Sequence, residues 1–209
     1  MNNTISENIL VTISKLNNPI FRTHDLVALS GKSTSNVVQC LNRLAEKGIL
    51  IKVCRGVWAK TQAHQLSALN SIFQLFPRQR VYVSFISALH LHGIIEQIPQ
   101  VISLASTAHT STMQTKIGSF IVHQLSSELF DGFDWYKGTG EFLIAEPEKA
   151  LIDCLYLSSR KKKHYSYFPE LFFSKEFSFK RAKEWGKKIP DENIRNYVMK
   201  KLKTLSADR

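Results

Sequence analysis

Between Ser6 and Leu16 the apolar residues Ile9, Leu10, Ile13 and Leu16 recur at helical spacing, and Asn17, Asn18 and Pro19 close the run. A second short helix is expected over the next stretch. Its apolar positions are Leu26, Val27 and Leu29, with Thr23 as candidate cap and Gly31 as a left-handed exit. The third predicted helix is the most sharply two-faced. Ser33 or Thr34 caps it and Gly48 stops it, and Val37, Val38, Leu41, Leu44 and Ala45 fall on one side. Ser35, Asn36, Gln39, Asn42 and Arg43 fall on the other. Beyond Gly48, Ile49–Val53 and Val57–Lys60 read as two strands meeting at Cys54-Arg55-Gly56. Three short helices, a tight glycine turn and a hairpin give helix-turn-helix order followed by a wing.

The pattern then changes. Residues 63–77 read as a linking helix ended by Pro77. Ser84 is the expected cap of a short helix, Phe85 to His92, with Gly93 after it. QVISLAST and KIGSFIVHQLS read as strands, and DWYKGTGEFLIAEP as a hairpin turning at Gly138-Thr139-Gly140. EPEKALIDCLYL is a helix with Pro147 in its first turn and Glu148 near its positive end. Two more helices are expected near the end. One runs from Ser178 or Phe179 to Lys188 with Phe179, Ala182 and Trp185 inward; the other, Asp191 to Leu205, carries Ile194, Val198 and Leu202 on one stripe. The expected fold class is therefore α+β: an N-terminal winged helix-turn-helix, residues 1–62, followed by an α/β domain, 63–209, with a small antiparallel sheet and a helical C-terminal extension, 159–209.

Charge sharpens this division. The 28 Lys and Arg outnumber the 17 Asp and Glu, for a net charge of +11. Residues 1–62 hold eight basic and three acidic residues, 63–158 five and eight, and 159–209 fifteen and six. Both ends are thus candidates for meeting a polyanion. No apolar run is long enough to span a membrane, and MNNTISENIL lacks the basic start and apolar core of a signal peptide. The three widely spaced cysteines, Cys40, Cys54 and Cys154, suggest neither a zinc ribbon nor a disulfide framework. A reducing cytoplasm is the expected location.

The polar face of the third helix carries the main functional expectation. A solvated helix face ordinarily uses Glu and Lys, whereas Asn, Gln and Arg are the side chains that pair with base edges in the major groove. The candidate DNA-binding residues are Thr34, Ser35, Asn36, Gln39, Asn42 and Arg43 on this helix, with Lys52, Arg55 and Lys60 of the wing set against phosphates. The partner would be double-stranded DNA. A winged helix can also serve as a protein-docking module, and that alternative stays open here.

The wing ending RGVWA, the segment YVSFISALHLHGIIEQIPQVISLAS and the segment FLIAEPEKALIDCLYL resemble, in order and spacing, the AbiEi-type antitoxins of bacterial type IV toxin–antitoxin systems. The family pattern falls on Arg55-Gly56 with Trp58, on Ser87-Ala88-Leu89 with Gly93, and on Ala145 to Asp153. The resemblance covers roughly residues 5–158. It implies a two-domain antitoxin whose winged helix represses its own operon and whose second domain neutralises a nucleotidyltransferase-like toxin encoded nearby. No catalysis and no cofactor are expected.

Other chemistry is poorly supported by spacing. Asp131 and Asp134 lie three apart and diverge on a strand, so they do not make a paired-carboxylate metal site in a nucleic-acid-acting enzyme. Gly138-x-Gly140 lacks the third glycine and following helix of a phosphate loop. His90 and His92 are two apart, the wrong spacing for one helix to ligate a metal, and no metal is expected. Glu146, Glu148 and Asp153 read as structural, Cys40 as a core residue, and Cys54 beside Arg55 as a turn residue or a redox-sensitive thiol. Arg160, Lys161, Lys162 and Lys163 form a second candidate basic surface, for DNA, RNA or an acidic protein.

Overall fold

A computed structural model describes residues 2–16, 18–61, 66–160 and 169–207, with side chains from residue 9 onward. The chain divides into two compact units, residues 1–77 with 114–118, and residues 78–113 with 119–209. The first unit thus continues past residue 62, the expected domain end.

In the first unit, α1 (Asn2–Lys15), α2 (Thr23–Ser30) and α3 (Thr34–Glu46) pack on a three-stranded antiparallel sheet. Its strands are β1 (Ile20–Arg22), β2 (Leu50–Cys54) and β3 (Val57–Lys60), with β3 central. Ile9, Ile13, Phe21, Leu26, Val37, Leu41, Leu44, Leu50 and Trp58 bury together, so the apolar stripes predicted for α1 and α3 meet one core. Ser33 caps α3 by accepting from the Asn36 N–H. At the wing, Gly56 holds φ 78°, a left-handed turn conformation that a side chain would strain.

Three local expectations are corrected. β1 was not foreseen; it pairs with β3 through Ile20–Ala59, Phe21–Trp58 and Arg22–Val57. Thr23 does not cap α2. Arg22 occupies the cap, its N–H and guanidinium bonded to Asp25, while the Thr23 hydroxyl turns into the core. Among the described residues of the expected linking helix, 66–77, the helical parts are a 3₁₀ turn, Leu69–Ser71, and one α turn, α4 (Ile72–Leu75). The Ser71 hydroxyl bonds the Ser67 carbonyl there, a local competitor of regular helix.

The second unit holds β4 (Tyr82–Val83), α5 (Phe85–Leu91), β5 (Ile102–Ser106), β8 (Phe133–Trp135) and β9 (Leu143–Ala145), with β6 (Ser111–Thr115) up to residue 113 and β7 (Gly118–Gln124) from residue 119. The helices α6 (Pro147–Ser159), α7 (Phe179–Lys187) and α8 (Glu192–Ala207) follow. The six strands lie in the order β6-β7-β5-β4-β9-β8. The expected antiparallel hairpin is present as β8–β9, and β4–β5 is antiparallel too. The sheet is nonetheless mixed, because β5–β7 and β4–β9 are parallel. The short strand β4, which sequence patterning did not reveal, brings β9 beside it in parallel. Helix α6 is buried on every side from Glu148 to Ser158, with α5, α7 and α8 packed against it. Ala182 of α7, and Val198 and Leu202 of α8, complete this core.

Candidate nucleic-acid interface

The interface candidate is built on α3. Val37, Cys40, Leu41 and Leu44 anchor it in the core, which fixes the rotation of the helix about its own axis. That rotation leaves Thr34, Ser35, Asn36, Gln39, Asn42 and Arg43 exposed together. Their side chains form no hydrogen bond or ion pair with the described residues, so their donors and acceptors face solvent. Three amides and a guanidinium on one face match the groups that bind base edges.

The wing residues divide. Arg55 is exposed at the turn, and Lys52 is exposed with its ammonium 5.4 Å from the centre of the Trp58 ring. Lys60 departs from expectation. It is only half exposed, and its Nζ donates to the Leu16 carbonyl at 2.6 Å, capping the end of α1. The reason is its place at the end of β3, where the side chain reaches α1 and not the outer face of the hairpin.

Of the two readings of Cys54, turn residue or redox-sensitive thiol, its surroundings favour the first. Burial pushes its pKa up, which keeps the sulfur protonated at neutral pH. Cys40 is buried, as expected of a small core residue. Arg160, of the second candidate basic surface, caps α6 and stacks on Tyr156, its guanidinium carbon 4.8 Å from the ring centre. Lys161, Lys162 and Lys163 lie outside the described residues.

The acidic residues of the second unit do not converge. Asp131 is exposed and lies 3.9 Å from Lys188, and Asp134 accepts from the Trp135 N–H. His92 Nε2 contacts the Ala145 carbonyl at 2.8 Å. Among the described residues no three metal-ligating side chains cluster.

Instead, the Ala145–Asp153 motif turns inward. Glu148, expected at its own helix start, is buried and binds another helix: its Oε1 accepts from the Ser178 N–H at 2.7 Å and from Arg181 at 2.8 Å. Lys149, which sequence reading passed over, is fully buried and bonded to Asp153 one turn on. Asp153 also accepts from Ser84 at 2.7 Å and Tyr82 at 3.2 Å. Burial drives the Lys149 pKa down and the Asp153 pKa up, while their mutual contact opposes both shifts. The Tyr82 and Trp185 rings enclose the Lys149 ammonium at 5.6 and 5.7 Å. With no access to solvent, this cluster serves packing. An i, i+4 Lys–Asp pair reads in sequence like a surface ion pair, and only the all-round apolar character of α6 could have signalled otherwise.

Among the described residues no helix is long and apolar enough to cross a membrane. No curated protein matches the chain. Residues 8–59 match the family model described as "Transcriptional regulator, AbiEi antitoxin", the family that the sequence motifs resemble.

Proposed function

We propose that this protein is a DNA-binding repressor that controls its own operon, and the antitoxin of a type IV toxin–antitoxin pair whose toxin resembles nucleotidyltransferases. In this reading α3 enters the major groove, where Gln39, Asn36, Asn42 and Arg43 meet base edges. Thr34 and Ser35, at the positive end of the helix, and Lys52 and Arg55, on the wing, hold phosphates. The observation that carries the reading is the exposed polar face of α3, free of partners among the described residues, beside a basic wing. The second unit supplies the antitoxin activity and performs no catalysis. The protein works in the cytoplasm, beside its DNA.

The test is titration of the duplex immediately upstream of the coding sequence across a range of salt. Repressor binding weakens steeply with salt, by about 0.9 in the logarithmic slope for each phosphate contact. Binding to a protein alone, indifferent to salt, would favour the docking alternative. Co-expression with the adjacent reading frame tests the antitoxin half: growth restored by this chain supports it, and growth still arrested beside the folded protein removes it.

A further inference from the structure

The wing is fastened to the helix-turn-helix at one residue. β1 runs into α2 with no connecting residue, so the sheet and the first helix of the motif share a rigid joint at Thr23. The Thr23 N–H donates to the carbonyl of Gly56, in the wing turn, at 2.9 Å. Its hydroxyl accepts from Trp58 Nε1, also at 2.9 Å, across 35 residues and in a buried setting. Trp58 stands opposite Lys52 in the β2–β3 register, and the Lys52 ammonium lies by its ring. Thr23 therefore connects directly to the turn that carries Arg55 and, through one indole, to Lys52.

We infer that Thr23 is a positioning residue for the wing: it holds Arg55 and Lys52 at a set angle to α3, so operator affinity depends on a buried side chain that never touches DNA. A wing held in advance gives up little conformational freedom on binding, whereas a loose one must be ordered by the contact itself. Thr23 is almost completely buried, so its hydroxyl serves the wing and not the duplex. This inference rests on the DNA-binding reading above.

Thr23→Val keeps the shape of the side chain and removes the acceptor, leaving the indole N–H unpaired. With folding checked by near-ultraviolet circular dichroism, the variant should bind the upstream duplex about three- to tenfold more weakly. Its salt slope should fall by about 0.9 for each phosphate contact released. Thr23→Ser, which restores the hydroxyl, should recover affinity and slope. Arg55→Ala should then cost less in the Thr23→Val background than in the wild type, a coupling that a general loss of stability would not produce. Trp58→Phe removes the other partner and carries the same test should Thr23→Val fail to fold. A folded Thr23→Val with wild-type affinity and slope, or an equal cost of Arg55→Ala in both backgrounds, overturns the inference alone. A wild-type protein that leaves the duplex unbound overturns the DNA-binding reading together with it.

Discussion

Ser84 donates its hydroxyl proton to Asp153 at 2.7 Å, joining residues 69 apart in sequence. Ser84 was expected to cap α5, yet its side chain makes no cap hydrogen bond. The residue after it, Phe85, is fully buried at φ 57°, a conformation that costs a bulky residue about 1–3 kcal/mol. The Ser84 N–H is tied to the Ser103 carbonyl at 3.0 Å, and the Phe85 ring meets the edge of His123 at 4.9 Å between centres. Asp153 thus helps fix the strained entrance of α5. Ser84→Ala should destabilise the protein by about 1–3 kcal/mol, measured by chemical denaturation, because a buried carboxylate loses a donor.

Asp153→Asn should cost more, about 3–5 kcal/mol, since it strands a buried ammonium. Its pH dependence has a definite sign. Burial lowers the folded-state pKa of Lys149 below its ordinary 10.5, and removing Asp153 takes away the main opposing influence. Unfolding of the variant then takes up a proton between the depressed folded value and 10.5. Stability should rise with pH across that window by at most about 1.4 kcal/mol per unit, and fall as the pH drops. Adding Lys149→Met should abolish the slope. Denaturation curves at several alkaline pH values measure it.

Glu148 joins α6 to the start of α7 through the Ser178 N–H and Arg181. Glu148→Gln keeps the shape and loses the charge. Native-state hydrogen exchange should quicken in α7 and α8 while the first unit keeps its protection. Uniform change across both units would contradict this local role.

Gly132 combines two demands. It adopts φ 75°, and a Cβ there would overlap Cζ2 of Trp185 on α7. Gly132→Ala should therefore lose about 2–5 kcal/mol by chemical denaturation, from backbone strain and overpacking together.

Legibility in the sequence followed the strength of the local signal. The face of α3 was readable because thirteen residues alternate between core and solvent at one clean period. The wing turn was readable because glycine marked it. β1 escaped notice because it has three residues just beyond Pro19, too few to establish an alternation. β4, with two residues, escaped for the same reason and took with it the parallel pairing to β9. Lys60 looked like its neighbours on the wing, and only the nearness of the α1 terminus sets it apart. Lys149 and Asp153 were hidden because a fully buried helix has no polar face against which an inward charge could stand out.

The central claim is that the polar face of α3 reads duplex DNA, and the Gln39→Ala/Arg43→Ala variant tests it most directly. Both side chains are exposed, so the substitutions should leave the melting temperature nearly unchanged. Affinity for the upstream duplex should drop by about thirtyfold or more, as expected when two base contacts of about 1–3 kcal/mol each are lost. A folded variant that binds that duplex as tightly as the wild type would contradict the account.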